Sequence, residues 1–237
     1  MLHTATLLGL TPDRAYLWKP AGLPVFPPHD GVGTSLYAWW RAHPDFPAEG
    51  FPAGFEGGIA HRLDTATSGL VLVARNAGSL TALRERFASR ALRKLYVFRS
   101  QVAPSVAGYS STLIEVPIAH HPRSSRRMIV QDRPVKDHRG RWYPAWTRFT
   151  ALEQPAATSE NEGFLWQAEI RTGVMHQIRV HALHAGIPLC GDPLYGAGSE
   201  GPFLLHHAQM IFPEGASPVA PLVDGTEPKL VLYTGGR

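Results

Sequence analysis

Short apolar segments separated by glycine and proline set the strongest limit on how this chain can fold. The 237 residues include 23 Gly and 21 Pro, and these turn-forming residues recur along the whole sequence. Between them, β-branched or aromatic residues alternate with polar ones, which is the pattern of half-buried strands. We therefore predict strands over residues 15–19, 69–74, 95–102, 111–118, 145–152 and 165–171.

Two segments have helical periodicity instead. Residues 79–89 place leucine and phenylalanine on one face and arginine on the other. Residues 173–185 form a second predicted helix, with Thr172 as its N-cap and Gly186 as the left-handed residue after its end. Many strands with few helices predict an α+β fold. No Pro- and Gly-rich stretch is long or polar enough to separate independent domains, so we expect residues 1–237 to form one domain.

Composition is typical of a globular protein. Hydrophobic residues make up 44% of the chain, yet no run approaches eighteen apolar residues. The N-terminus has no basic segment leading into a long apolar stretch, so we expect a cytoplasmic protein without a membrane span. The single cysteine, Cys190, excludes an internal disulfide and a cysteine-based zinc cluster.

Positive charge is concentrated in two segments. Residues 84–99 and 120–148 together hold 14 basic and 3 acidic residues, whereas the remaining chain holds 9 basic and 16 acidic residues. A field of this kind attracts a polyanion. Of the 23 basic residues, 19 are arginine, whose guanidinium suits phosphate binding and stacking on bases. The charge distribution therefore favours a nucleic-acid partner.

One carboxylate lies directly ahead of the predicted strand over residues 69–74. Residues 61–70 read HRLDTATSGL, and their Asp, Thr, Ser and Gly favour a tight turn that brings Asp64 to the end of a buried strand. An isolated Asp in such a loop most often closes a turn or caps a helix. The wider sequence has to decide between that structural role and a catalytic one.

Five sequence blocks occur in one continuous order between about residues 16 and 212. They are WKPAGLPV at 18–25, HRLDTATSGL at 61–70, KLY at 94–96, TGVMHQIRVH at 172–181 and GDPLYG at 191–196. Together they resemble the RluA-type pseudouridine synthases, which isomerise uridine to pseudouridine in structured RNA. The resemblance implies a catalytic domain built on a long, bent, mostly antiparallel sheet with flanking helices and a central active-site cleft.

The resemblance also implies roles for individual residues. Asp64 matches the catalytic carboxylate, Tyr96 the tyrosine that stacks on the target uracil, and Arg179 the arginine that pairs with the catalytic Asp. Arg62 is the candidate for entering the RNA where the target nucleotide flips out, and His61 precedes it in the same motif. The reaction requires no metal or redox cofactor. The sequence leaves open whether Asp64 attacks C1′, attacks C6 or removes the C2′ proton.

The expected partner is RNA, either ribosomal or transfer RNA, bound by a monomer. The candidate phosphate contacts are the arginines of the two basic segments: Arg84, Arg86, Arg90, Arg123, Arg126, Arg127 and Arg133. Three aromatic residues in or near the second segment could stack on bases or belong to the core: Trp142, Tyr143 and Trp146.

Two departures from the family pattern accompany the resemblance. Val174 stands where the family commonly has a basic residue after Thr-Gly, which removes one expected polar contact near the site. Many relatives begin with an S4 RNA-binding domain, but here the matching blocks start within the first twenty residues. We therefore expect no S4 domain and RNA recognition by the catalytic body alone.

Two other functions would fit parts of the sequence. Twelve histidines suggest a metal site, but His176, His181 and His184 are spaced five and three apart, with no His-Glu-x-x-His motif, so we expect no metal. An RNA-binding or ribosome-assembly protein without turnover would need the arginines. It would not need Asp64, Tyr96 or the intact HRLD motif, whose presence favours an enzyme.

Overall fold

The computed structural model describes residues 4–27, 33–47, 51, 56–104, 110–132, 137–152, 163–196, 201–222 and 230. The chain divides into two compact units. Unit 1 comprises Met1–Arg93 and His206–Pro228, and unit 2 comprises Lys94–Leu205 and Lys229–Arg237. Because both units contain a sheet with few helices, the predicted α+β class is confirmed. The single domain stays a prediction.

Strands outnumber helices in the described residues. The strands are β1 (Thr6–Leu10), β2 (Arg14–Lys19), β3 (Ser68–Ala74), β4 (Arg93–Ser100), β5 (Ser111–Ile114), β6 (Ile118–His120), β7 (Met128–Val130), β8 (Arg139–Tyr143), β9 (Thr147–Ala151), β10 (Phe164–Ile170), β11 (Leu205–Phe212) and β12 (Gly215–Ala216). The helices are α1 (Leu36–Arg41), α2 (Ala77–Ala88) and α3 (Gln177–His184), and a 3-10 turn spans Glu56–Gly58.

In unit 1 the strands are ordered β1-β2-β3-β11-β12. All neighbours pair antiparallel except β3 and β11, which run parallel. Every residue of β3 is buried, which fits its nearly unbroken apolar run. Helix α2 begins with a capping box between Asn76 and Ser79. Its Leu80 and Leu83 pack against Trp18, Leu72 and other buried residues of the unit 1 core.

In unit 2, antiparallel strands are ordered β4-β10-β9-β5, and a second antiparallel sheet has the order β7-β6-β8. Helix α3 packs against β7 and β9. Its Val180 joins an apolar cluster with Ile118, Met128 and Tyr195. This packing fixes the face that α3 turns toward the small sheet.

Two predicted elements differ most from the structure. The strand predicted over residues 111–118 is divided into β5 and β6. Pro117, which has no N–H for a sheet ladder, lies between these strands. Helix α3 begins four residues later than predicted, with His176 at the N-cap position in place of Thr172. Gly186 is left-handed, at φ 76°, as predicted.

Candidate active site

Asp64 lies in a turn directly ahead of β3, as the sequence analysis predicted. The Thr67 N–H donates to the Asp64 carbonyl at 3.0 Å, and residues 65 and 66 occupy the turn. Asp64 is partly exposed while β3 behind it is buried. The loop therefore holds a carboxylate at the solvent-accessible end of a rigid strand, where it can meet a ligand.

The buried side chain of Lys19 forms hydrogen bonds to the backbone of this loop and of the turn after β2. The Lys19 ammonium, on a fully buried side chain, donates to the carbonyl oxygens of Leu23 at 2.7 Å, Pro20 at 2.9 Å and Thr65 at 3.2 Å. Burial lowers the pKa of Lys19 to about 8, although the charge of Asp64 favours the protonated form. The three bonds tie the turn after β2 to the residue that follows Asp64.

Two backbone features fix the other side of the turn. The Gly22 N–H donates to the Thr65 carbonyl at 2.8 Å. Gly69 has φ 111°, and a Cβ built there would lie 2.2 Å from the His207 carbonyl oxygen. Only glycine lets β3 approach β11 this closely at the start of the strand. The position of Asp64 thus depends on contacts made by both neighbouring strands of β3.

His61 is held within unit 1. Its Nε2 accepts a hydrogen bond from the Leu72 N–H at 3.0 Å, and its ring packs against Phe87 and His207 at 5.4 and 5.5 Å. Arg62, the next residue, is exposed. Of these two proposed RNA contacts, Arg62 is therefore the one whose side chain faces solvent.

Tyr96 lies on β4 in unit 2, opposite Ala168 of β10, and is 7% exposed. Lys94 shares its face of the strand because side chains alternate along β4. Burial lowers the pKa of Lys94 to about 8. A Cβ built on Gly173 would lie 3.1 Å from its ammonium nitrogen. This contact brings the KLY and TGV blocks together within unit 2.

Arg179 has a partner that the sequence analysis did not identify. Its Nε donates to Asp192 Oδ2 at 2.7 Å and its Nη2 to Asp192 Oδ1 at 2.6 Å, a bidentate ion pair. Burial raises the pKa of Asp192, but the bonds from Arg179 and from backbone N–H groups outweigh it and lower that pKa overall. The pairing of Arg179 with Asp64 stays a prediction.

The start of α3 is organised by side-chain amide and hydroxyl groups. Gln177 Oε1 accepts from the Thr172 hydroxyl at 2.8 Å and from the Val174 N–H at 3.2 Å. Its Nε2 donates to the Trp146 carbonyl at 2.9 Å. The Val174 side chain packs against the apolar cluster of unit 2, which gives it a structural role where relatives commonly have a basic residue. The Thr172 oxygen accepts from the Trp146 N–H at 3.3 Å, and the Val174 N–H donates to Gln177, so Thr172 does not cap the helix.

His181 is buried within unit 2. Its Nδ1 lies 2.8 Å from Thr147 Oγ1, and its Nε2 lies 2.9 Å from the Val116 carbonyl oxygen. The carbonyl can only accept, so Nε2 carries the proton in the neutral ring. Burial lowers the pKa of His181 to about 4.

His206 of unit 1 is also buried with its pKa lowered to about 4. Within the described parts of the chain, no group of three His, Cys, Asp or Glu side chains could hold a metal ion.

The proposed phosphate contacts differ in their surroundings. Arg84, Arg90, Arg123, Arg126 and Arg127 are exposed. Arg86 forms an ion pair with Glu214, which Arg14 also contacts at 2.9 Å, so the charge of Arg86 is partly neutralised. Arg133 lies outside the described residues.

A groove of about 520 Å³ lies in unit 2 between β7 and α3. Arg127 and Tyr195 line one part of it, and the guanidinium lies 5.7 Å from the tyrosine ring. Asp132, Asp137 and His184 also line the groove. Two carboxylates make it unsuited to a phosphate chain, which favours the exposed Arg123 and Arg126 for backbone contacts.

Comparison with known proteins identifies the family to which this chain belongs. The family model described as RNA pseudouridylate synthase matches residues 15–184. The chain belongs to that family. Among the described residues, moreover, no helix is both long and apolar enough to cross a membrane.

Individual relatives agree with this assignment. The chain is 36% identical over 179 residues to an uncharacterized RNA pseudouridine synthase of Chloroflexus aurantiacus, covering 75% of this chain and 50% of that protein. It is 35% identical over 185 residues to ribosomal large subunit pseudouridine synthase D of Xanthomonas campestris pv. campestris, covering 78% and 49%. The chain thus spans about half the length of these relatives.

A solved structure shows the same fold. Human RNA pseudouridylate synthase domain containing 1 matches with a TM-score of 0.69 and 20% identity, covering 98% of this chain and 91% of the human chain. At this identity the match supports the predicted pseudouridine synthase fold and carries no residue roles.

Proposed function

We propose that this protein isomerises uridine to pseudouridine in structured RNA, with Asp64 as the catalytic carboxylate. The observation that carries the proposal is the placement of Asp64: a partly exposed carboxylate ahead of a buried strand, in a loop tied down by Lys19, Gly22 and Gly69. A carboxylate on a loop held by these contacts can act on a sugar or base without the loop first being ordered.

Tyr96 and Arg179 are proposed as the other two catalytic residues, with the roles that the family resemblance gives them. Both lie on regular elements of unit 2 and are almost fully buried, at 7% exposure each. Nearly dry surroundings strengthen their electrostatic and stacking interactions with a nucleotide. Asp64→Asn should abolish turnover, whereas Tyr96→Phe should retain stacking and slow it.

The proposed substrate is ribosomal RNA, because the Xanthomonas campestris relative is named as acting on the ribosomal large subunit. Transfer RNA is the second candidate. The arginines proposed to hold the RNA backbone are Arg62, Arg84, Arg86, Arg90, Arg123, Arg126, Arg127 and Arg133, with His61 beside them. We also propose that the protein works as a monomer in the cytoplasm.

The test is direct detection of the product. Transcribed large-subunit ribosomal RNA and a transfer RNA pool are incubated with the protein, digested to nucleosides and separated by chromatography. Pseudouridine has the mass of uridine but a different retention time, so it is recognised without a label. Pseudouridine in the ribosomal RNA supports the proposal and identifies the substrate. Its absence from both pools, with tight RNA binding, would support the non-catalytic binding protein.

A further inference from the structure

The Arg179–Asp192 ion pair is buried and bidentate, unlike a typical pair of surface charges. Both oxygens of the carboxylate are used, on two different guanidinium nitrogens, at 2.7 and 2.6 Å. The side chains are 8% and 0% exposed. Two parallel bonds fix the plane of the guanidinium, whereas one bond would leave it free to rotate.

Asp192 is itself anchored to its own loop. Its Oδ1 accepts from the Leu194 N–H at 2.9 Å and from the Tyr195 N–H at 3.1 Å. These bonds are independent of Arg179 and hold the carboxylate at the start of the turn that follows Cys190. Asp192 is therefore a fixed point to which the longer and more flexible arginine side chain is tied.

Two aromatic rings hold the guanidinium from other directions. The Arg179 guanidinium carbon lies 5.1 Å from the Tyr195 ring centre and 5.5 Å from that of Phe203. The Tyr195 hydroxyl accepts from the Met128 N–H at 2.7 Å and lies 3.1 Å from His176 Nδ1. His176 has a left-handed backbone at φ 55°, which is uncommon outside glycine.

The left-handed residue His176 contacts the Tyr195 hydroxyl, and Tyr195 and Asp192 both contact Arg179. Strain of this kind persists where the surroundings over-determine the backbone, and it is concentrated at functional sites. Stability alone explains the arrangement poorly, since a buried ion pair often adds little over apolar residues of similar size. The arrangement is suited instead to holding a guanidinium in one orientation.

We propose that Asp192 is a positioning residue for the isomerisation, acting through Arg179. This inference rests on the proposed function. The pair has no net charge, so Arg179 contributes oriented N–H groups more than positive charge. Its contribution to catalysis therefore depends on the direction of those N–H groups. Asp192 acts by setting the orientation of the Arg179 guanidinium, the group proposed to pair with Asp64.

Asp192→Asn weakens the pairing with Arg179 and keeps the bonds from the turn to this side chain. The amide oxygen can still accept from the Leu194 and Tyr195 N–H groups, so the turn is kept. The amide NH₂ that replaces Oδ2 cannot accept from Arg179 Nε, so the pair keeps only the bond from Nη2 to the amide oxygen and is no longer bidentate. Asp13→Asn makes the same chemical change at an exposed carboxylate of unit 1 and serves as the control.

The assay is single-turnover tritium release from ribosomal RNA labelled at C5 of uridine, with RNA affinity measured separately by filter binding. We expect Asp192→Asn to lower the rate constant about 10- to 100-fold, the effect of a misdirected catalytic group, with affinity changed less than about twofold. Asp192→Glu restores the charge and should recover part of the rate. Asp13→Asn should match the wild type in both measurements.

A second measurement reports on the ion pair without activity. In ¹H–¹⁵N spectra of the side chains, the Arg179 Nε–H resonance, assigned by its loss in Arg179→Lys, should shift upfield in Asp192→Asn. In the Arg179→Lys background, Asp192→Asn should cause no further fall in rate, because residues that act as a unit are non-additive.

Several results would overturn the inference. These are an unchanged rate in Asp192→Asn despite the shifted Nε–H resonance, an equal fall in rate in the Arg179→Lys background, or a loss confined to RNA affinity. If Asp192→Asn fails to fold, the rate and the Arg179 Nε–H resonance are measured in Asp192→Glu, and a wild-type rate despite a shifted resonance would have the same consequence. An inactive wild type with the Nε–H resonance in place would refute the proposed function itself, whereas the other outcomes leave that function intact.

Discussion

Gly69→Ala offers the sharpest test of how the Asp64 loop is held. Gly69 is paired with His207 in the parallel register of β3 and β11. An alanine Cβ at φ 111° would lie 2.2 Å from the His207 carbonyl oxygen and 2.7 Å from its nitrogen. Ordinary contact begins near 3.4 Å, so one strand must move by about 1 Å.

The expected loss of stability has two parts. The backbone conformation costs an L-residue roughly 1–2 kcal/mol. Moving the strand weakens about two ladder hydrogen bonds of roughly 1 kcal/mol each. Together these predict a loss of about 3–4 kcal/mol in the free energy of unfolding. Gly22→Ala is the matched control, since Gly22 has φ 86° but a Cβ there meets nothing within 4 Å, and it should lose only the first part.

Urea unfolding followed by far-UV circular dichroism measures both variants, and tritium release measures activity in the same preparations. Gly69→Ala should lower the unfolding midpoint clearly more than Gly22→Ala. It should also slow turnover, because Asp64 moves with the start of β3. Equal midpoints for the two variants would show that the close approach of β3 and β11 does not constrain the loop, and the reasoning would fail.

Three further predictions concern pH, chemistry and salt. Burial lowers the pKa of His181 to about 4, from about 6.5 in the unfolded chain. Between these two pH values the unfolded chain binds a proton that the folded chain does not. The contribution of His181 to stability is therefore complete above pH 6.5 and is lost as the pH falls toward 4. The free energy of unfolding measured in urea should fall by about 3 kcal/mol from this residue, and His181→Gln should remove that part of the fall while the part from His206 stays; an identical profile would contradict the assignment. Tyr96→Phe should bind RNA normally but release tritium more slowly, and an unchanged rate would eliminate a role for the hydroxyl. Raising salt from 50 to 200 mM should weaken RNA binding by at least tenfold, with a smaller slope in Arg126→Ala, whereas a flat response would argue against phosphate contacts.

The loop that carries Asp64 could be predicted from the sequence because the preferences of its own residues determine its conformation. Asp, Thr, Ser and Gly favour a turn, and the apolar residues after them favour a buried strand. The same reasoning correctly gave Gly186 the left-handed position after α3. Residue preference and chain geometry agree at these positions, so no distant contact is needed to decide them.

The start of α3 and the partner of Arg179 depend on contacts that no local pattern contains. Thr172 has the preference of an N-cap, but its oxygen accepts from the Trp146 N–H instead, and the helix begins later. Asp192 was part of a recognised block, yet nothing in its spacing assigns it to Arg179, thirteen residues away. Arg86 forms an ion pair with Glu214, which lies 128 residues away in the sequence. This pair partly neutralises an arginine that the charge distribution had suggested as a phosphate contact.

The most direct test of the account compares wild type with Asp64→Asn in tritium release from ribosomal RNA labelled at C5 of uridine. Forming pseudouridine ejects that label, and the amide retains the shape of the carboxylate while losing its charge. We expect release by the wild type and none by Asp64→Asn, with similar RNA affinity for both. Release at the same rate from both proteins, or from neither, would contradict it.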